Sequence, residues 1–133
     1  MFRTMAKDYK LKNVKFNGHI NDFRQVWEEN HALFLCSYME GLPLVTVSAM
    51  ICERLPIVTD VGAHREVIDD NISGFISSKP DVAAIDEALE RAWQSRDRWE
   101  EIGREARKKI LSVLPEDPID DFIRKILSLT SKD

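Results

Sequence analysis

Residues 31–68, HALFLCSYMEGLPLVTVSAMICERLPIVTDVGAHREVI, hold two short apolar runs, each followed by a turn that contains glycine. The runs at 31–36 and 55–60 have the length and composition of strands that are covered on both faces of a parallel sheet. Residues 43–54 between them read as a helix, because proline suits the first helical position. Strands that alternate with helices predict a parallel α/β sheet with right-handed crossovers.

The flanking sequence continues this alternation in both directions. Residues 13–16, NVKF, and residues 73–77, SGFIS, read as further short strands. Residues 22–30 read as a helix with Asn21 as its N-cap. We therefore expect about four strands. Because doubly wound domains usually have about five or six strands, the sheet is expected to lack its first strands on the N-terminal side.

The remaining segments read as helices. Residues 2–12 carry a thin apolar stripe, and residues 81–96 place apolar side chains on one helical face with Asp81 as the cap. A second long helix is predicted at 97–114, where Pro115 ends it. Residues 118–130 form the last amphipathic pattern.

Length and composition restrict the protein class. The chain of 133 residues is long enough for one domain, 1–133, with 115–133 as a terminal segment that carries the last helix. A formal net charge of -4 disfavours nucleic-acid binding. The N-terminus is too polar for a signal peptide, and no apolar run reaches the length of a bilayer span. We predict a cytoplasmic protein, while peripheral work at a membrane surface through a partner stays open.

The two cysteines have no metal-binding pattern. Cys36 and Cys52 lie in apolar surroundings and are not accompanied by a second cysteine or a histidine at ligand spacing. We expect reduced, buried thiols. The sequence predicts neither a metal site nor a cofactor.

The two strand ends carry the residues that suggest a ligand. Ligands of open α/β sheets bind beyond the carboxyl ends of the strands, and residues 37–43 and 61–66 follow two such ends. The amides around 41–45 would open a helix, where free N–H groups favour anionic oxygen-rich ligands. Gly41 permits close approach of the backbone, and Glu40 adds an acceptor suited to sugar hydroxyls.

These features occur in a co-linear order that covers roughly residues 13–90: the acid-Gly-x-Pro loop, a helix with SAM, then LPIVTDVGAHREVI and NISGFI. The order resembles the donor-binding, C-terminal half of the retaining glycosyltransferases with the GT-B fold, the glycosyl transferases group 1. The resemblance implies a Rossmann-like sheet, a nucleoside-diphosphate sugar as donor, and a glycan or a lipid-linked molecule as acceptor. It also implies that the acceptor-binding half must come from a missing N-terminal domain or a partner chain, and that this chain is inactive alone.

The resemblance also assigns residues. Its hallmark is a pair of glutamates separated by seven residues; Glu40 fits the first, the catalytic candidate that would contact the donor sugar's hydroxyls. The second position, which typically holds the ribose, is Ser48 here, and this departure puts ribose affinity in question. Glu66 matches an acid whose role is largely structural. The donor-binding candidates are Gly41, Leu42, Pro43, Leu44, Ser48, Gly62, His64 and Arg65.

Ordinary structural roles stay open for the same side chains. Glu40 could cap the helix that follows it, and Ser48 could bond back to its own helix backbone. His64 fits the loop for a phosphate or sugar contact, and fits equally an exposed loop histidine without a role.

Two functions stay open for a chain that resembles this family but has Ser48 at the position of the second glutamate. In the first, the chain is the nucleotide-sugar-binding piece of a glycosyltransferase. In the second, it is a degenerate, non-catalytic relative that associates with another protein through its open sheet edge or its last helix, and could dimerise through that edge. A phospho-accepting receiver domain is disfavoured, because it needs a cluster of acids at the strand ends; Asp60 ends a strand, but no acidic pair ends the preceding strand.

Overall fold

A computed structural model describes residues 1–130. In this part of the chain, three parallel strands form one sheet in the order β1 (Ala32–Leu35), β2 (Leu55–Thr59) and β3 (Phe75–Ser77). Ala32 lies opposite Leu55, and Ile57 lies opposite Phe75. The sheet confirms the predicted parallel α/β architecture and places the carboxyl ends of β1 and β2 side by side.

Helices precede, separate and follow the strands in the predicted order. They are α1 (Phe2–Asp8), α2 (Phe23–Glu29), α3 (Leu44–Ile51), α4 (His64–Val67), α5 (Val82–Gln94), α6 (Trp99–Val113) and α7 (Pro118–Thr130), with a 3-10 turn at Arg96–Arg98. The predicted cap of α5 is confirmed, because Asp81 Oδ1 accepts a hydrogen bond of 2.9 Å from Ala84 N. Within residues 1–130, no helix has both the length and the apolarity that crossing a bilayer requires.

The core lies on both faces of the central strand. All five residues of β2 are buried, as expected of a strand flanked by two others in a parallel sheet. Alternate residues point to opposite faces, so the apolar side chains divide into two clusters. One contains Met50, Val58, Val67, Ile68, Ile76, Ala106 and Ile110; the other contains Leu55, Ile57, Phe75, Ala92 and Ile102.

The predicted strand at residues 13–16 is wrong, and the described sheet has three strands instead of about four. Residues 12–20 have no regular secondary structure. A strand needs a neighbour to pair with its backbone, and in the described chain β1 pairs with β2 alone. One β-branched and one aromatic residue among the four cannot replace that pairing.

The same edge position explains why β1 is less buried than predicted. Phe34 is 48% exposed, because one side of β1 has no neighbouring strand. Cys36 directly follows β1 and is exposed, and Cys52 is partly exposed. The prediction of two buried thiols is therefore wrong.

Two helix starts differ from prediction by one residue. Asp22, not Asn21, caps α2, since its Oδ1 accepts a hydrogen bond of 2.9 Å from Arg24 N. Pro43 is the N-cap of α3 and not its first helical residue, because its ψ of 124° is extended. Both shifts are local and leave the order of elements intact.

The contact between α3 and α6 depends on a glycine. A Cβ added at Gly103 would lie 2.1 Å from the carbonyl oxygen of Glu53, just beyond the end of α3. We predict that Gly103→Ala lowers the free energy of unfolding by about 1–3 kcal/mol, because the helix must move away from a backbone atom. Urea denaturation measures this loss. Lys108→Ala, an exposed change on the same helix, should stay within about 0.5 kcal/mol of the native chain, and equal stability of both variants would contradict the close contact.

Candidate functional site

Two loops meet at the carboxyl edge of the sheet. The first loop, residues 36–43, joins β1 to α3, and the second loop, residues 60–63, joins β2 to α4. Ala63 N donates a hydrogen bond of 2.9 Å to Gly41 O. Thr59 Oγ1, at the end of β2, donates one of 2.6 Å to Ser37 O. The structure therefore brings together the two segments in which the sequence placed its candidates.

Gly62 allows this close approach. Its φ of +58° lies in the left-handed region, and a Cβ at this position would lie 2.2 Å from Gly41 O and 2.4 Å from Glu40 O. Gly41, in contrast, has no atom within 4 Å of an added Cβ. The packing of the two loops thus requires glycine at position 62. Position 41 has open space around it, where a side chain would fit.

Glu40 is held by its own loop. Ser37 Oγ donates a hydrogen bond of 2.6 Å to Glu40 Oε1, and the side chain is partly buried. The alternative role as a helix cap is wrong, because Pro43 is the N-cap of α3 and no side chain caps that helix. One carboxylate oxygen is engaged, and within the described chain Oε2 has no hydrogen-bond partner.

The start of α3 offers free backbone donors. Pro43 has no N–H, and the first amide with a backbone acceptor is Thr46 N, which lies 3.0 Å from Pro43 O. Among residues 1–130, the N–H groups of Leu44 and Val45 have no protein acceptor. Leu42 and Leu44 are themselves exposed beside these amides. Uncapped amides at a helix N-terminus favour an anion.

Ser48 already has two partners. Trp27 Nε1 donates a hydrogen bond of 3.1 Å to Ser48 Oγ, which in turn donates one of 3.0 Å to Val45 O. The structure thus shows the bond back to the helix backbone that the sequence left open. It adds a link to α2 through a tryptophan that is 4% exposed. Sequence reasoning missed this pair, because no local pattern joins residues 21 apart.

His64 is enclosed. Its side chain is 0% exposed, Nδ1 lies 2.9 Å from Thr59 O, and Nε2 lies 3.3 Å from Thr46 Oγ1. The alternative of an exposed loop histidine is therefore wrong, and both ring nitrogens have protein partners instead of facing a ligand. Thr46 and Thr59 are buried as well. Both residues hold the histidine in place, and sequence reasoning missed them because their contacts with it form only when β2, α3 and α4 come together.

Arg65 and Glu66 lie on the outside of α4. Arg65 Nε forms an ion pair of 2.6 Å with Asp60 Oδ2, and its side chain is 60% exposed. Glu66 is exposed and makes no side-chain hydrogen bond or ion pair within residues 1–130, so no contact there corresponds to its predicted structural role. In the same part of the chain, no three His, Cys, Asp or Glu side chains come together as metal ligands would.

The backbone contact between the two loops can be tested with a matched pair of glycine variants. We predict that Gly62→Ala separates the loops and shifts the amide NMR resonances of residues 37–41 and 59–64, because its Cβ would collide with two carbonyl oxygens. Gly41→Ala should leave the second loop's resonances in place, since open space surrounds that position. Similar spectra for the two variants would show that the loops are not in backbone contact.

Comparisons with known proteins show the family of this chain. The sequence profile of the family described as glycosyl transferases group 1 matches residues 1–109. EpsD of Bacillus subtilis (strain 168), named as a provisional glycosyltransferase, is 29% identical over 111 residues, which cover 83% of this chain and 29% of EpsD.

A second curated relative comes from Campylobacter jejuni. It is the GalNAc-α-(1→4)-GalNAc-α-(1→3)-diNAcBac-PP-undecaprenol α-1,4-N-acetyl-D-galactosaminyltransferase. It is 30% identical over 88 residues, which cover 62% of this chain and 24% of that enzyme. The chain thus spans less than a third of the length of the curated relatives it matches.

The fold is also found among solved structures. HepE of Anabaena, crystallised in complex with UDP, matches with a TM-score of 0.82 at 19% identity, over 96% of this chain and 35% of HepE. At this identity the match shows the fold, which is that of the GT-B glycosyltransferases. Because the family profile covers residues 1–109 of the 133, the chain belongs to the group 1 glycosyl transferases.

Proposed function

We propose that this chain is the donor-binding part of a retaining glycosyltransferase and binds a nucleoside-diphosphate sugar beside the first loop and the start of α3. One observation carries the proposal: the partly held carboxylate of Glu40 and the free amides of Leu44 and Val45 are at the same edge of the sheet. A ligand with both hydroxyl donors and anionic oxygens suits that combination. The solved complexes of HepE with UDP and with UDP-glucose support the choice of ligand class.

The proposed chemistry assigns a separate task to each group. Glu40 accepts hydrogen bonds from the sugar hydroxyls and orients the ring. The amides of Leu44 and Val45 face the diphosphate, whose negative charge increases as the bond to the sugar breaks. Arg65, which follows the second loop in α4, is the basic side chain proposed for the diphosphate, and its exposed guanidinium is already paired with Asp60. A diphosphate would therefore compete with Asp60 for it.

The acceptor is proposed from the relatives. The Campylobacter enzyme's name contains an undecaprenol-diphosphate-linked glycan, and we propose a glycan or lipid-linked acceptor for this chain too. This part of the molecule matches less than a third of each relative. We propose that an acceptor-binding half, from additional sequence or a partner chain, completes the cleft, and that residues 1–133 alone transfer no sugar.

A non-catalytic role is the second candidate, and the engagement of Ser48 favours it. Its hydroxyl is used by Trp27 and Val45, at the position where the family pattern has a ribose-binding acid. A protein-interaction module would instead use the open edge of β1, beside which a groove is lined by Ile20, Phe23 and other side chains. Pairing of two chains at that edge would give a dimer.

The donor-binding proposal predicts a ligand-specific effect of Glu40→Gln. An NMR titration with UDP and with UDP-glucose should shift the amides of residues 40–46 and 61–66. Glu40→Gln should weaken UDP-glucose binding about tenfold, the equivalent of one lost charge-assisted hydrogen bond, and leave UDP binding unchanged. Glu28→Gln, an exposed change on α2, serves as the control. Equal losses for both ligands would show that Glu40 does not contact the sugar.

The two candidate functions differ in the expected effect of Ser48→Glu. If the site binds nucleotide, restoring the acid should tighten UDP binding by about fivefold or more, since a carboxylate accepts hydrogen bonds from ribose hydroxyls more strongly than a serine does. Isothermal titration calorimetry measures the change. Ser48→Ala controls for loss of the Trp27 bond. No UDP binding by either the native chain or Ser48→Glu, together with a dimer in sedimentation analysis, would favour the interaction module.

A further inference from the structure

The buried imidazole of His64 joins three elements around the two loops. Nδ1 reaches the carbonyl of Thr59 at the end of β2, and Nε2 reaches the hydroxyl of Thr46 in the first turn of α3. His64 itself begins α4. We propose that His64 is a positioning residue, which holds the first turn of α3, with its free amides, against the end of β2 and so sets the separation of the two loops. The expected effect on ligand binding rests on the proposed donor site. The role in loop geometry rests on the hydrogen bonds alone.

The carbonyl of Thr59 fixes which ring nitrogen carries a proton. A carbonyl oxygen can only accept, so Nδ1 must carry a proton to bond with Thr59 O. In a neutral imidazole Nε2 is then an acceptor, and the hydroxyl of Thr46 donates to it. For the neutral ring, the geometry thus requires the Nδ1–H tautomer and a Thr46 hydroxyl that donates to Nε2.

The contacts continue from His64 to the candidate ligand groups. Thr59, which accepts from the ring, also donates through Oγ1 to Ser37 O, and Ser37 Oγ donates to Glu40. On the other side, Thr46 directly follows Val45, whose amide is one of the free donors. Glu40 and the start of α3 are therefore connected through one buried ring.

A simple packing role would not need this arrangement. An apolar side chain could fill the volume, but both hydrogen bonds lie among residues that are at most 1% exposed. Loss of either bond leaves a polar group buried away from water or forces the elements to shift toward one. Because each bond crosses from α4 to a different element, such a shift changes the separation of the two loops.

The test uses the full 133-residue chain with Thr46→Val, Thr46→Ser and His64→Asn. Thr46→Val keeps the shape and removes the hydroxyl, Thr46→Ser keeps the hydroxyl, and the His64→Asn amide donates to Thr59 O but does not extend to Thr46. Three quantities are measured: the imidazole ¹⁵N shifts of His64, the exchange rate of the Ala63 amide that bonds Gly41 O, and the affinity for UDP.

We expect ¹⁵N shifts of the Nδ1–H tautomer in the native chain. Thr46→Val should speed exchange of the Ala63 amide and weaken UDP binding, each about tenfold, and His64→Asn should do the same. Thr46→Ser should restore both values to within about twofold of the native chain. This rescue distinguishes positioning through the hydroxyl from packing, because valine fills the site better than serine.

Two results would overturn the inference: an Nε2–H tautomer in the native chain, or native exchange and native UDP affinity in Thr46→Val. If the native chain binds no UDP, the donor-site proposal fails separately. The tautomer and the Ala63 exchange rate then decide the role of His64 in loop geometry. Faster exchange in Thr46→Val with rescue in Thr46→Ser supports it, and unchanged exchange refutes it.

Discussion

The backbone contact between the two loops is the constraint on which the candidate site depends. Ala63 N–H bonds Gly41 O, and Gly62 lies so close to the first loop that only a hydrogen atom fits in place of a side chain. This contact fixes the loop after β1 relative to the loop after β2. The first loop then carries the partly buried Glu40, while the carbonyls of Ser37 and Gly41 accept hydrogen bonds from the end of β2 and from the second loop. The candidate ligand-binding carboxylate and the structure-forming carbonyls thus lie within a few residues of each other.

Local patterns predicted most of the fold. The apolar runs that became β1 and β2, and Asp81 as the cap of α5, depend on neighbours in sequence, and the structure confirms them. The strand at residues 13–16 failed because strand formation depends on a partner strand, which propensity does not encode. Cap positions shifted by one residue where two adjacent residues could serve, as with Asn21 and Asp22.

The sequence predicted where the candidate site lies, but it did not predict the buried side-chain contacts that hold the site together. Sequence placed Glu40 and Gly62 at adjoining strand ends, because parallel strands end at one edge. It could not assign His64 to the interior or Ser48 to Trp27, since both assignments depend on contacts across 18 and 21 residues, respectively. Both contacts form only when separate elements pack together. His64 follows a turn in the sequence and is buried only because β2 and α3 pack against it.

The bond between Trp27 and Ser48 gives the protein a built-in optical probe. The indole of Trp27 is 4% exposed and bonded to α3, the helix with the free amides, whereas Trp93 is 58% exposed. Trp99 is hydrogen-bonded to Ala92 O, on a different helix. A soluble quencher therefore reaches Trp93 and spares Trp27. Once Trp93 and Trp99 are replaced by phenylalanine, the remaining emission comes from Trp27 and reports how α3 moves when its first turn meets a ligand.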